Sequence, residues 1–160
     1  DETVSSISAM AYTKISVDDF SIRTQGVYGQ NMFDLLMIGG YAVSKLDPVT
    51  SKEEYTNIKT MSTWADISYG KAFKVGLFVG YVKNLGADDD IAASVFSRGA
   101  DIDKLIRISP RIVYLLNKVQ FAAEVENTIA YYGMPDIRGK VKDSKSVSNT
   151  RILLATYYFF

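Results

Sequence analysis

Apolar and polar residues alternate at every second position along most of this chain, and this period constrains its fold more than any other feature. The alternating segments are separated by turn-forming residues. Because successive side chains of a strand point to opposite faces, the period predicts strands with one apolar and one polar face. We predict eight strands, at residues 5–17, 20–30, 34–45, 56–69, 73–84, 104–116, 119–132 and 149–160.

The composition excludes much of enzyme chemistry. The 160 residues include no Cys and no His, so disulfides, thiolate nucleophiles, imidazole bases and the common zinc sites are absent. Lys and Arg together number 18, as do Asp and Glu, which gives no electrostatic reason to expect nucleic acid. No apolar run approaches the ~20 residues of a membrane-spanning helix. We expect one domain over residues 1–160 that is not an enzyme and carries no cofactor or metal.

Short and long connections alternate between the predicted strands. Such asymmetry is typical of outer-membrane barrels, which have short turns at one membrane face and long loops at the other. The pattern favours an all-β, antiparallel up-and-down transmembrane barrel of eight strands in this chain. A soluble barrel or sandwich with its apolar face inside is the alternative. The tight connections are Gln30 to Phe33, Gly70 to Ala72 and Asn117-Lys118, the long ones are 46–55, 85–103 and 133–148, and the short Asp18-Asp19 connection departs from the scheme.

The hairpin around Asn117-Lys118 shows how the two faces differ. A two-residue turn places Leu116 opposite Val119 and, on the same register, Arg111 opposite Glu124. The other face is mostly aliphatic with Tyr near its ends, as the hydrocarbon slab and its interfaces select. Two residues of that apolar face depart from the pattern: Asn127 is polar, and Pro110 removes a ladder hydrogen bond that lipid cannot replace.

Two further hairpins repeat the two-faced pattern. A turn at Asp18-Asp19 sets Ile15 opposite Ile22 and the like charges of Lys14 and Arg23 opposite each other, so this pair needs an acidic neighbour or water. A three-residue turn at 70–72 sets Thr63 opposite Val79. We predict that the polar faces combine into a charged cluster inside the barrel, formed by Arg107, Arg111, Glu124, Glu126, Lys74 and Asp66.

The last strand resembles the C-terminal signal of Gram-negative outer-membrane β-barrel proteins. It has a terminal Phe, an aromatic residue two positions earlier, and apolar residues at alternate positions before that. The resemblance implies a bacterial outer-membrane location, contact with outer-membrane lipid and lipopolysaccharide, and recognition by the barrel-assembly machinery. The residues that carry it are Ile152, Leu154, Tyr158 and Phe160.

Residues 20–43, with Gly39-Gly40-Tyr41, also resemble a late hairpin of longer porin-like proteins of Bacteroidetes. That resemblance would make the chain the C-terminal portion of a larger barrel. In such a barrel the charged residues would line a water-filled lumen, and we prefer passive diffusion of small solutes through this lumen as the function, because matched charges along a wall are typical of a porin. An eight-stranded barrel is instead filled by its own side chains and would act structurally or through its loops. A soluble lipocalin-like carrier of small molecules is the third reading, and assembly into a homo-oligomer is left open.

Overall fold

The computed structural model describes residues 3–160, which form a single antiparallel β-sheet with one short 3-10 helix at Met32–Leu35. The predicted all-β antiparallel class is confirmed. Within this part of the chain, no helix is long and apolar enough to cross a membrane. The strands are β1 (Ser8–Val17), β2 (Phe20–Gln30), β3 (Gly39–Leu46), β4 (Glu53–Gly70), β5 (Phe73–Gly86), β6 (Val95–Arg98), β7 (Ile102–Leu116), β8 (Val119–Pro135) and β9 (Val141–Tyr158).

Strands β2 and β3 occupy one position in the sheet. Both run antiparallel to β4, where β2 pairs with residues 59–69 and β3 with residues 53–58. The chain therefore does not reverse between them, and the predicted tight turn at Gln30 to Phe33 is wrong. The predicted strand over 34–45 begins only at Gly39, because the preceding residues form an insertion that buries Met32 and Ile38.

All three tight turns lie at the same end of the sheet, called here the turn end; the opposite end is the loop end. The turns are at Asp18-Asp19, Lys71-Ala72 and Asn117-Lys118. The short Asp18-Asp19 connection had departed from the predicted alternation of short and long connections. Since β2 and β3 count as one position, this connection now lies at the turn end and fits the alternation. Asp18 and Asn117 have φ values of 51° and 52°. Two-residue hairpins require this left-handed backbone, which Asp and Asn tolerate well.

The sheet is open, and its order is β1-β2-β4-β5-β7-β8-β9. The predicted closure into an eight-stranded barrel is therefore wrong for this chain, because β3 adds no position and the four-residue β6 pairs only with β3. Along this order each strand runs opposite to its neighbour. Both edge strands, β1 and β9, consequently run from the loop end to the turn end.

Two of the predicted long loops are partly structured and fold over the sheet at the loop end. The connection from β5 to β7 crosses to the free side of β3, where β6 pairs with residues 39–42. The predicted loop 133–148 is mostly an extension of β8 and β9, with a turn at 136–140. Asn84 of β5 donates a side-chain hydrogen bond to the carbonyl of Gly139, 3.1 Å away, and thereby ties this turn to the sheet. The small apolar core at this end comprises Met32, Ile38, Ala42, Val43, Ile58, Ala87 and Val141.

The predicted pairing is confirmed for two hairpins and is wrong by two residues for the third. Ile15 faces Ile22, and Arg111 faces Glu124. In the third hairpin, Thr63 faces Tyr81 instead of Val79, because Gly70 pairs with Lys74 and the turn lies one residue later. A shift of two residues keeps every side chain on its predicted face.

Candidate functional site

One face of the sheet, called here the apolar band, is apolar and exposed from β1 to β9. Register places Ile15, Ile22, Ile67 and Leu77 side by side in one row of this face. Leu77 is 39% exposed, and Ile152 on the edge strand β9 is 73% exposed. The face therefore lacks a packed layer above it. Other exposed members are Val75, Val79, Ile108, Ile112, Val125 and Leu154.

Aromatic and basic residues flank the apolar band. Phe20, Tyr69, Phe73, Tyr114 and Phe121 lie at its turn end. At its loop end Lys83 faces Lys104, whose Nζ lies 4.3 Å from the ring centroid of Tyr131.

The height of the band can be read along β7. From Ile106 to Tyr114 the strand extends about 26 Å at about 3.3 Å per residue. Aromatic residues lie at one border of this band, and lysines lie at the other.

The two departures within the band are accommodated locally. Asn127 donates from Nδ2 to Ser148 Oγ at 2.9 Å and to Thr150 Oγ1 at 2.6 Å, both on the neighbouring strand. Pro110 lies in a gap between two paired stretches of β7 and β8. The pair Ile108–Asn127 precedes this gap, and the pair Arg111–Glu124 follows it. The missing N–H of Pro110 thus coincides with a gap in the ladder.

The opposite face, called here the charged face, is organised around two carboxylates, each held by two arginines. In the first triad Asp66 accepts from Arg23 Nη2 at 2.9 Å, and Arg111 Nη1 lies 2.6 Å from its Oδ2. Arg23 faces Asp66 directly in the β2–β4 register. The acidic neighbour that the sequence required for the Lys14 and Arg23 pair is therefore Asp66.

A glycine lets Arg111 reach Asp66 across an intervening strand. Arg111 lies on β7 and Asp66 on β4, with β5 between them. The β5 residue paired with Arg111 is Gly76. A Cβ added to Gly76 would lie 3.0 Å from Arg111 Nε and 3.1 Å from its Cζ. The absent side chain leaves the space in which the guanidinium group crosses the strand.

The second triad joins β7, β8 and β9. Glu126 Oε2 lies 3.2 Å from Arg107 Nη1, and its Oε1 lies 3.0 Å from Arg151 Nε. Arg107 also donates from Nε to Thr128 Oγ1 at 3.0 Å. Each buried carboxylate therefore meets two cations and serves as a counter-ion within the sheet.

The structure brings together four of the six residues predicted for the charged cluster, in two separate triads: Asp66 with Arg111, and Glu126 with Arg107. Glu124 and Lys74 lie on the same face, but neither forms an ion pair among the residues described. Sequence reasoning did not find Arg23, Arg151 or Gly76 as members. The alternation could have placed Arg151 on this face, since it faces Glu126 in the β8–β9 register.

The residues of the C-terminal signal lie on or beside β9. Ile152 and Leu154 are on the apolar band, at 73% and 79% exposure. Tyr158 pairs with Val119 at the turn end, and Phe160 lies two residues beyond the end of β9. All four side chains are open to contact from outside the sheet.

The acidic run Asp88-Asp89-Asp90 lies at the loop end and is partly matched by cations. Asp88 pairs with Lys59, and Asp90 accepts from Arg138 Nε at 2.8 Å. Within the described residues, no group of three or more acidic side chains is placed to hold a metal ion. Ion pairing accounts for two of the three carboxylates of this run.

The polar connections at the loop end include the turn formed by residues 136–140. There the Asp136 carboxylate accepts from the N–H of Arg138 at 3.0 Å and of Lys140 at 2.9 Å. Slight burial raises the pKa of this carboxyl group, but the two N–H donors and the charges of Lys142 and Lys140 outweigh that effect. The pKa of Asp136 consequently lies below its ordinary value of 3.8.

Comparison of the chain with protein-family models, with curated proteins and with solved structures gives no match.

Proposed function

We propose that this chain forms part of the wall of a porin-like β-barrel in a bacterial outer membrane. The apolar band faces lipid, and the charged face lines a water-filled path for passive diffusion of small solutes. The observation that carries the proposal is the contrast between the two faces. Leu77 and Val79 of the apolar band remain about 40% exposed, whereas Asp66 and Glu126 of the charged face are nearly buried.

A soluble carrier of the lipocalin kind requires the reverse arrangement. Its apolar face would be packed inside and its charges would face water. Here an apolar face spans the whole sheet without a covering layer. Soluble monomers rarely expose a contiguous apolar patch of more than a few hundred Å². Hydrocarbon chains are the partner that covers such a face without specific packing.

The distribution of turns and loops also supports the proposal. Two-residue turns lie at one end of the sheet, and connections of five or more residues lie at the other. Bacterial outer-membrane barrels have short periplasmic turns and longer extracellular loops. We accordingly place Asn117-Lys118 at the periplasmic side, and the turn at 136–140, with its basic side chains, near lipopolysaccharide.

The edges of the sheet specify how such a barrel closes. Since β1 and β9 run in the same direction, an all-antiparallel closure needs an odd number of additional strands between them. In a second copy with the same orientation, β1 would lie parallel to β9 of the first copy, so this copy cannot give an all-antiparallel closure. We propose that strands outside this sheet complete the barrel, and that the barrel-assembly machinery recognises β9 through Ile152, Leu154, Tyr158 and Phe160.

The orientation of the two faces can be tested with the single Trp of the chain. Trp64 lies on the charged face, where its ring stacks 5.8 Å from that of Phe78. A Trp64→Phe/Val79→Trp variant moves the probe to the middle of the apolar band. In vesicles of phosphatidylcholine brominated at mid-chain, we expect strong quenching of the Val79→Trp probe and weak quenching of Trp64. Quenching in the opposite order would refute the orientation.

Solute diffusion is tested on the assembly purified from the membrane in non-denaturing detergent, so that any completing strands are retained. Discrete, stable current steps in a planar bilayer are the expected result. Silence from protein shown to be inserted would refute an open path.

Such silence would favour the second candidate, a plugged barrel that acts structurally or through its loops. The observation in its favour is that the insertion at 31–38 and the turn at 136–140 cover the charged face at the loop end. The fully buried Thr60 donates to the carbonyl of Ile38, and Asn84 donates to the carbonyl of Gly139.

A further inference from the structure

We infer that the charged face favours anions, and that solutes carrying carboxylate or phosphate groups are the class it admits best. This inference rests on the proposed function, in which the charged face lines the path. It specifies the solute class that this part of the wall selects.

The charges on this face are unequal, although those of the whole chain balance. In the part of this face between the turn end and Arg107, cations outnumber carboxylates two to one among the described residues. The cations are Lys14, Arg23, Lys74, Arg107, Arg111 and Arg151, and the carboxylates are Asp66, Glu124 and Glu126. Because Lys and Arg equal Asp and Glu over 160 residues, acidic residues outside this part of the face compensate for it, among them the loop-end run Asp88-Asp89-Asp90. The excess of positive charge is therefore local to the part of the face between the turn end and Arg107.

The cations of this face are more exposed than its ion-paired carboxylates, so an approaching solute meets a larger excess of positive charge. The Asp66 and Glu126 side chains are only 7% and 10% exposed. The side chains of Arg23, Arg107 and Arg151, which bind them, are 46%, 45% and 57% exposed. The carboxylates thus lie beneath the guanidinium groups, and a solute meets N–H donors first. A guanidinium fork matches carboxylate and phosphate oxygens better than it matches any cation.

Two lysines extend the positive surface beyond the triads. Lys14 lies beside Arg23 on β1, and Lys74 lies on β5 toward the turn end. Both are exposed, and neither forms an ion pair within residues 3–160. Charges along a narrow path with low-dielectric walls are screened less than those on an open surface, so they bias which ions pass.

The inference is tested by the reversal potential of the purified native assembly in a planar bilayer under a KCl gradient. We expect a potential of the sign that marks chloride preference. The Lys14→Gln/Lys74→Gln variant removes two unpaired cations and leaves both triads intact, so its reversal potential should shift toward potassium. The matched control is Lys52→Gln/Lys118→Gln, which removes two exposed cations outside the charged face and should leave the potential unchanged.

Potassium preference in the unaltered protein, or equal shifts in both double variants, would overturn the inference and leave the pore intact. A conducting path is not needed for the second measurement, a titration of the folded protein in detergent micelles with inorganic phosphate. Saturable shifts of arginine Nε–H resonances are expected, reduced in an Arg107→Gln/Arg151→Gln variant. Silence in the bilayer with saturable phosphate binding would refute diffusion but support the anion-binding face, whereas no saturable binding would overturn the inference itself.

Discussion

Arg111 bonds Asp66 across a complete strand: its Nη1 lies 2.6 Å from Oδ2 of Asp66, although β5 separates their strands. Neighbouring strands are about 4.8 Å apart, so the guanidinium group must pass over the backbone of β5. Gly76 is the residue beneath it. The pair therefore depends on a third residue that contributes no side chain.

We predict that Gly76→Ala weakens this pair. The new Cβ would lie 3.0 Å from Arg111 Nε, so the guanidinium group must shift by a few tenths of an ångström and its bonds to Asp66 lengthen. Complete loss of a partner by a buried charged acceptor costs about 1–3 kcal/mol, so we expect a smaller loss of unfolding free energy, up to about 1 kcal/mol. Urea unfolding in lipid vesicles measures the loss. Gly26→Ala is the control, because its added Cβ meets nothing within 4 Å.

A double-mutant cycle separates this mechanism from a general effect of the methyl group. In an Arg111→Met background, Gly76→Ala should cause little further loss, since the cation that it displaces is gone. An equal loss in both backgrounds would contradict the proposed role of Gly76.

We predict that Asp66→Asn destabilises the sheet more than Glu124→Gln does. The first change leaves Arg111 and Arg23 without their shared counter-ion. Because these arginine side chains are 21% and 46% exposed, the loss should be smaller than that of a fully buried pair, which is about 3–5 kcal/mol. The second removes a carboxylate of the same face that forms no ion pair within the described residues. Unfolding free energies of the two variants in the same lipid should differ in that direction. Equal losses would show that the Asp66 triad contributes little.

We predict that a charged residue introduced into the apolar band lowers the unfolding free energy, and that the loss is larger at the middle of the band than at its border. Val79→Arg places a cation near the middle of the band, for which about 2–4 kcal/mol is expected in a bilayer. Tyr81 lies in the row next to Lys83, at the border of the band. Tyr81→Arg should therefore lower the unfolding free energy by only about 0–1 kcal/mol, as expected near an interface. Thr128→Arg on the charged face is the control for side-chain size. Equal penalties at positions 79 and 81 would contradict a lipid slab over this face.

The turn at 136–140 is predicted to loosen in acid. The pKa of Asp136 lies below its ordinary value of 3.8, so the ionised carboxylate stabilises the turn above that pH. This stabilisation is lost as pH falls through the lowered pKa, when the carboxyl group takes up a proton. Amide exchange of Arg138 and Lys140, which donate to Asp136, should accelerate in that range. In Asp136→Asn the exchange of these amides should lack this step.

Sequence reasoning located the faces of the sheet because short turns determine pairing locally. Asp18 and Asn117 each begin a two-residue turn, and the register of their hairpins follows from the turn alone. Around Gly70 the turn could start at either of two residues, so the predicted register was wrong by two. The side chains nevertheless lie on their predicted faces, because side chains alternate with a period of two and the error was two residues.

The number of sheet positions could not be predicted from the sequence. Residues 35–40 are continuously apolar and look like a strand, yet Met32 and Ile38 pack into the loop-end core instead. That packing depends on the β5–β7 connection, which reaches β3 from a distant part of the chain. Gly40 shows how closely β6 approaches β3, since a Cβ added to Gly40 would lie 2.1 Å from the carbonyl oxygen of Phe96. Long-range contacts, not local pattern, decide the path here.

The triads were only half predictable for a similar reason. Alternation placed Asp66, Arg107, Arg111 and Glu126 on one face, as the structure has them. Which cation meets which carboxylate depends on strand order and on Gly76, and neither can be read from a single hairpin. The opposed residues Arg111 and Glu124 illustrate this, since Arg111 bonds Asp66 instead.

The two unpaired edges of the sheet have a consequence for the behaviour of the chain in water. β9 is 18 residues long, and its outer side presents backbone donors and acceptors that nothing in the sheet satisfies. In water such an edge is a template for adding strands of other molecules, and the apolar band beside it would drive aggregation. We therefore expect the isolated folded sheet to aggregate in water unless other strands or a holding chaperone cover its edges.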